Sequence, residues 1–111
     1  MQFLFLLHGD EAAELALEPE ERRAIIAQHM DYSRMLRGRG VLRGGDALEP
    51  STAAAVVRDG IVSDGPFAET KEQLGGYYLV EVASRDEAVE YARQVPASPG
   101  LVVEVRPVIE M

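Results

Sequence analysis

Phe3-Leu4-Phe5-Leu6-Leu7-His8-Gly9-Asp10 runs through five consecutive apolar residues and then breaks into turn formers. Strand side chains alternate between two faces, so Phe3, Phe5 and Leu7 fall on one side and Leu4 and Leu6 on the other. A strand apolar on both parities needs cover on both faces of its sheet. The run is too short to cross a bilayer, and the polar His8-Gly9-Asp10-Glu11 follows at once. With neither a basic leader nor a small-residue cleavage site, the expected location is cytoplasmic.

Outward from that strand, expected over 2–8, an acidic connection over 11–18 leads to Pro19, whose fixed φ suits the first turn of a helix. The spacing predicts a helix over 19–37. Glu20 and Glu21 sit at the positive end of its dipole, Arg34 and Arg37 lie near the negative end, and Gly38 and Gly40 stop it. At 100° per residue Ile25, Ile26, His29, Met30, Tyr32, Ser33 and Leu36 share one arc centred near His29, which is expected to face inward. Val41-Leu42-Arg43 begins a second strand, interrupted by Gly44-Gly45 and continuing toward Leu48-Glu49-Pro50. Residues 53–58 predict a third. Asp59-Gly60, ahead of Ile61-Val62-Ser63, supplies the two positive-φ positions of a type I′ hairpin turn.

The loop Asp64-Gly65-Pro66-Phe67 leads into 68–74, which reads as either a helical turn or an irregular excursion. Gly75-Gly76 then releases the chain into the strand Tyr77-Tyr78-Leu79-Val80-Glu81-Val82. Ser84 and Glu87 have capping-box spacing, and Ala88, Tyr91, Ala92 and Val95 give a second helix an apolar face that Pro96 ends. Leu101 to Arg106 forms the last strand, closed by Pro107. The order is strand, helix, strand, hairpin, strand, helix, strand. This predicts an α+β ferredoxin-like split β-α-β sandwich, with two helices on one face of a mainly antiparallel sheet. Two helices cover one face only. The economical cover for the other is a second copy, giving a homodimer with sheets face to face, a dimeric α/β barrel.

With 111 residues the chain has room for one domain, spanning 1–111. Hydrophobic residues at 47% and charged residues at 27% mark it as globular, and a net charge of −8 argues against direct nucleic-acid or anionic-membrane partners. The absence of cysteine removes disulfides, thiolate nucleophiles and Cys-ligated zinc. Two histidines without a ligand spacing predict no metal, and Gly38-Arg39-Gly40 and Gly44-Gly45 lack the strand-to-helix glycine pattern of a nucleotide site. No cofactor is expected. Ser33, Ser51, Ser63, Ser84 and Ser98 are each accounted for by helix, turn or cap chemistry, which makes acyl transfer an unfavoured reaction.

The stretch Asp64-Gly65-Pro66-Phe67-Ala68-Glu69-Thr70-Lys71-Glu72-Gln73-Leu74-Gly75-Gly76-Tyr77-Tyr78 resembles the DGPF branch of the YCII-related family. The resemblance continues through Gly9-Asp10-Glu11, Gly40-Val41-Leu42, Ser84-Arg85-Asp86-Glu87-Ala88 and Val103-Glu104-Val105-Arg106-Pro107. It implies the same fold and dimerisation. On activity it implies less, because one fold hosts unrelated chemistries. Some YCII-related proteins look like enzymes with a histidine and an aspartate in a pocket between helix and sheet. One branch is associated with dehydrochlorination of a chlorinated hydroxyhydroquinone, and DGPF members are linked by genomic context to extracytoplasmic-function sigma factors.

His29, in the middle of an apolar helical face, is the first catalytic candidate, as a general base that a carboxylate orients. Asp64 is the expected partner. The alternative readings are a core histidine bonded to a backbone carbonyl and an aspartate capping its own turn. His8 on the first strand, Ser33 one turn beyond His29, and Gly65, Pro66 and Phe67 of the loop are candidate substrate contacts. Tyr77 and Tyr78 point to opposite faces, so only one of them can join a given pocket. Two functions follow from these residues taken together with the resemblance. One is a cofactor-independent, lyase-like enzyme that performs elimination or proton transfer on a polar small molecule with His29 and Asp64. The other is a non-catalytic metabolite-binding or regulatory module tied to a sigma-factor system.

Overall fold

The computed structural model describes residues 1–111 as β1 (Gln2–Asp10), α1 (Glu11–Leu15), α2 (Pro19–Gly38), β2 (Leu42–Ala47), β3 (Ala55–Arg58), β4 (Ile61–Asp64), β5 (Glu72–Glu81), α3 (Arg85–Ala92) and β6 (Val102–Pro107). A four-stranded sheet runs β2-β5-β1-β6 with every neighbouring pair antiparallel, and β3 and β4 form a separate hairpin. This order is compatible with the ferredoxin-like plan. No helix is long and apolar enough to cross a membrane.

Alternation along β1 decides where the core lies. Phe3, Phe5 and Leu7 are buried together with Tyr78, Val80 and Val82, beneath Tyr32 and Leu36 of α2 and Ala88, Tyr91 and Ala92 of α3. Each large apolar side chain taken out of water there contributes roughly 1.5–3 kcal/mol. The Tyr32 hydroxyl donates to the Tyr91 carbonyl at 2.8 Å, joining the two helices inside the core. Leu4 and Leu6 face the opposite way, across from Leu79 and Tyr77, and are only half-buried because no element of the chain lies over that side.

Local chemistry explains the helix ends. Asp10 does not merely end β1: its side chain accepts from the Ala13 amide at 3.2 Å and caps α1, where the sequence suggests only a connection. Glu11 is held by the Ser51 amide and hydroxyl at 2.8 and 2.7 Å. Pro19 stands at the start of α2 as expected, and the Glu18 amide donates to Glu21 at 3.2 Å. Ser84 accepts from the Glu87 amide at 3.2 Å, while Glu87 takes the Ala83 amide at 2.9 Å rather than that of Ser84.

The glycines of β5 behave differently from the expectation. The strand begins at Glu72, so Gly75 and Gly76 lie inside it. Leu7 pairs with Gly76 and His8 with Leu74, which leaves Gly75 as the extra residue of a β-bulge. Segment 68–74 contains no helical turn; Gln73 ties it together by donating to the Ala68 and Thr70 carbonyls at 2.7 and 3.1 Å. The hairpin turn is of the expected kind, with Asp59 at φ 51° and Gly60 at φ 79°. Its arm carries Val57, Ile61 and Val62 largely exposed, on a flat molecule measuring 41 × 39 × 17 Å. The Leu48 amide donates to the Gly75 carbonyl at 2.9 Å, so β2 and β5 are joined at the foot of this arm.

Candidate functional site

The apolar arc of α2 divides between two tasks. Tyr32 and Leu36 enter the core, whereas Ile26 and Met30 remain 53% and 58% exposed. Together with His29, Ser33 and Arg37 these two form a stripe at helical spacing, and it walls a cleft of about 430 Å³ between α2 and the β2/β5 half of the sheet. That volume is within the roughly 300–1,000 Å³ typical of small-molecule sites. Gly45, Gly75 and Gly76 line its floor, where larger side chains would fill the space. A smaller adjoining hollow shares Ser33, Arg37, Gly45 and Tyr78 and adds Arg43. A Cβ on Gly45 would come within 2.9 Å of the Tyr78 ring, so glycine is what lets β2 pass so close to that side chain.

At the centre His29 Nδ1 lies 2.7 Å from the Tyr78 hydroxyl, with the two rings 14° from parallel and 6.0 Å apart. Tyr32 packs edge-on against Tyr78 at 5.1 Å and fixes its ring. Burial holds the His29 imidazole below its ordinary pKa, which keeps it neutral at pH 7. Burial also pushes the Tyr78 hydroxyl up, while the nearby Ser33 hydroxyl pulls it partly back. His29 and Tyr78 thus form a pair in which the hydroxyl can donate or accept, with Ser33 lining the cleft beside them. If Tyr78 donates to Nδ1, Nε2 carries the proton and is a donor; if Nδ1–H donates to Tyr78, Nε2 is left as a base.

The other residues singled out from the sequence lie elsewhere in the chain. His8 projects from the uncovered side of the sheet, with Nε2 3.1 Å from Glu104 Oε1. Its proximity, followed by that of Arg106, holds the Glu104 carboxyl below its ordinary value. Asp64 is the exposed last residue of β4, opposite Ala55, and does not line the cleft. The place expected for a carboxylate beside His29 is occupied by Tyr78. Gly65 donates its amide to the Ala54 carbonyl at 2.7 Å, where a Cβ would collide with Ala54, and Pro66 follows it at the foot of the hairpin. Phe67 is 76% exposed, with the Arg58 guanidinium 5.8 Å over its ring.

Two contributors carry no distinctive signal in the sequence. The sequence leaves Tyr77 and Tyr78 equivalent, and the deciding fact is the pairing of Tyr78 with Phe5, which turns it toward the helices. Arg37 reads from the sequence as a helix-end charge, although it also lies on the stripe that walls the cleft.

Comparison with known proteins bears on the whole chain. An uncharacterized protein of Rhizobium meliloti (strain 1021) is 41% identical over 113 aligned positions, which cover 96% of this chain and 91% of the relative. The YCII-related domain matches residues 1–111. From first residue to last, the chain belongs to the YCII-related family.

Proposed function

We propose that the α2 cleft is the site of a small-molecule enzyme that performs elimination or proton-transfer chemistry, with His29 Nε2 exchanging a proton with the ligand. Tyr78 is the positioning residue. The observation that supports this most is the 2.7 Å contact between Nδ1 and the Tyr78 hydroxyl inside an open cleft. It orients the ring, and burial keeps the base form populated at neutral pH. Asp64-Gly65-Pro66-Phe67 supports assignment to the DGPF branch, and in this reading Asp64 acts on a cleft only from a second copy, carried on the exposed arm.

The test is an NMR titration of the imidazole in the wild-type chain and in Tyr78→Phe. The wild-type His29 is expected to titrate below about 6.5, and Tyr78→Phe is expected to shift its pKa. An ordinary pKa, unmoved by the substitution, would overturn the pairing. Ligand binding without proton exchange would leave the alternative of a non-catalytic metabolite-binding or regulatory module, the role to which a sigma-factor link belongs.

The reading includes a homodimer through the uncovered sheet face, where half-buried Leu4, Leu6 and Leu79 form an apolar strip beside His8, Glu104 and Arg106. Leu6→Asp puts a charge in the middle of that strip. Sedimentation equilibrium is expected to find dimers for the wild type and monomers for the variant, with the circular dichroism of the two alike. A monomeric wild type would remove this part of the proposal.

A further inference from the structure

We infer that the α2 cleft takes a small organic anion, a carboxylate on an apolar or aromatic body, with its charge toward Arg37 and its body along Ile26 and Met30. This rests on the acid/base reading for what happens to the ligand, although the charge argument stands on other residues. The chain carries nineteen acidic residues and a net charge of −8, yet the charged side chains turned toward this cleft are arginines. Asp46 belongs to the lining, but it pairs with Tyr77 and its carboxylate accepts from the Tyr77 hydroxyl at 2.9 Å. Tyr77 alternates with Tyr78, whose hydroxyl meets His29, so the Asp46 carboxylate lies on the far side of the sheet.

The arginines differ in how they are occupied. Arg34 is paired with Asp31 at 2.7 Å, and Arg43 donates to the Gly40 and Leu42 carbonyls at 3.0 and 3.2 Å. The Arg37 side chain has no hydrogen bond or ion pair within the chain, so its planar fork is available for two-point recognition of a carboxylate. Complementing the helix dipole accounts for a cation at this end of α2. It does not account for Ile26 and Met30 left uncovered on the same stripe, which supply the apolar wall that an organic anion uses. His29 and Arg37 are eight residues apart, about 12 Å along a helix axis. The side chains close part of that distance, so a ligand that meets both needs at least the length of an aromatic ring between its charged and reacting ends.

Benzoate, benzamide and benzylamine, titrated into chain labelled at histidine and followed through the His29 ring resonances, test this directly. Benzoate is expected to saturate, with benzamide and benzylamine at least tenfold weaker. Arg37→Gln is expected to weaken benzoate at least tenfold, with the circular dichroism spectrum and the weak benzamide binding unchanged. Equal binding of benzoate and benzamide, no benzoate binding, or benzoate binding indifferent to Arg37→Gln would each overturn the inference. Neutral compounds binding as well as benzoate beside a responsive His29 would defeat the anion and leave the acid/base reading intact. Arg37-dependent benzoate binding beside a His29 of ordinary pKa would do the reverse.

Discussion

Replacing His29 with glutamine is expected to slow solvent deuterium uptake into a carbon acid held in the α2 cleft by roughly 100- to 10,000-fold, the range attributed to a positioned general base. Glutamine retains a polar side chain but cannot take a proton at neutral pH, so the loss isolates basicity from packing. The pH profile has a definite sign. Burial lowers the imidazole's pKa, so the base form predominates at pH 7 and the rate approaches its plateau there. It falls only on the acid side, below about pH 6.5, as His29 takes up a proton. Proton NMR in heavy water, on a panel of carboxylic acids with exchangeable C–H bonds, measures both effects. Exchange that survives His29→Gln would place the base elsewhere.

Phe5→Ala is expected to destabilise the chain by about 3–5 kcal/mol. The ring is 0% exposed on a central strand, directly between Tyr78 on β5 and Val105 on β6. A domain of this kind has roughly 5–15 kcal/mol in total, so the variant is expected to lie close to its unfolding threshold. Urea denaturation should show a lower midpoint at an unchanged slope. Leu6→Ala, one residue on and facing the uncovered side, is the control: its cost in a dilute, dissociated sample is expected to be well below that of Phe5→Ala. Equal costs would mean that the two faces of β1 have been exchanged.

What could be read from the sequence was what neighbouring residues decide among themselves. Five apolar residues on both parities mark the central strand, Asp59-Gly60 specifies the turn between β3 and β4, and Ser84 announces α3, because each signal acts within a few positions. The rest depends on partners far along the chain. The five-residue α1 is accompanied by a contact between Glu11 and Ser51, forty positions away. The bulge at Gly75 is a property of register against β1, and the inward turn of Tyr78 follows from its pairing with Phe5. His29 could be located on its helix by counting, but its hydrogen-bond partner could not, since a tyrosine undecided between two faces is a weaker signal than an aspartate beside a turn.

The bond between Leu48 and Gly75 at the foot of the hairpin arm bears on how this architecture can diversify. Because the chain leaves the sheet after Ala47 and re-enters it at Glu72, close to where it left, the segment between is a long loop of the β2/β5 hairpin. Chain entropy penalises such loops gently, by only about 0.6 kcal/mol for each doubling of length. Lengthening or trimming the arm is therefore expected to cost this chain little in loop entropy, while the ladders of the four strands stay in place.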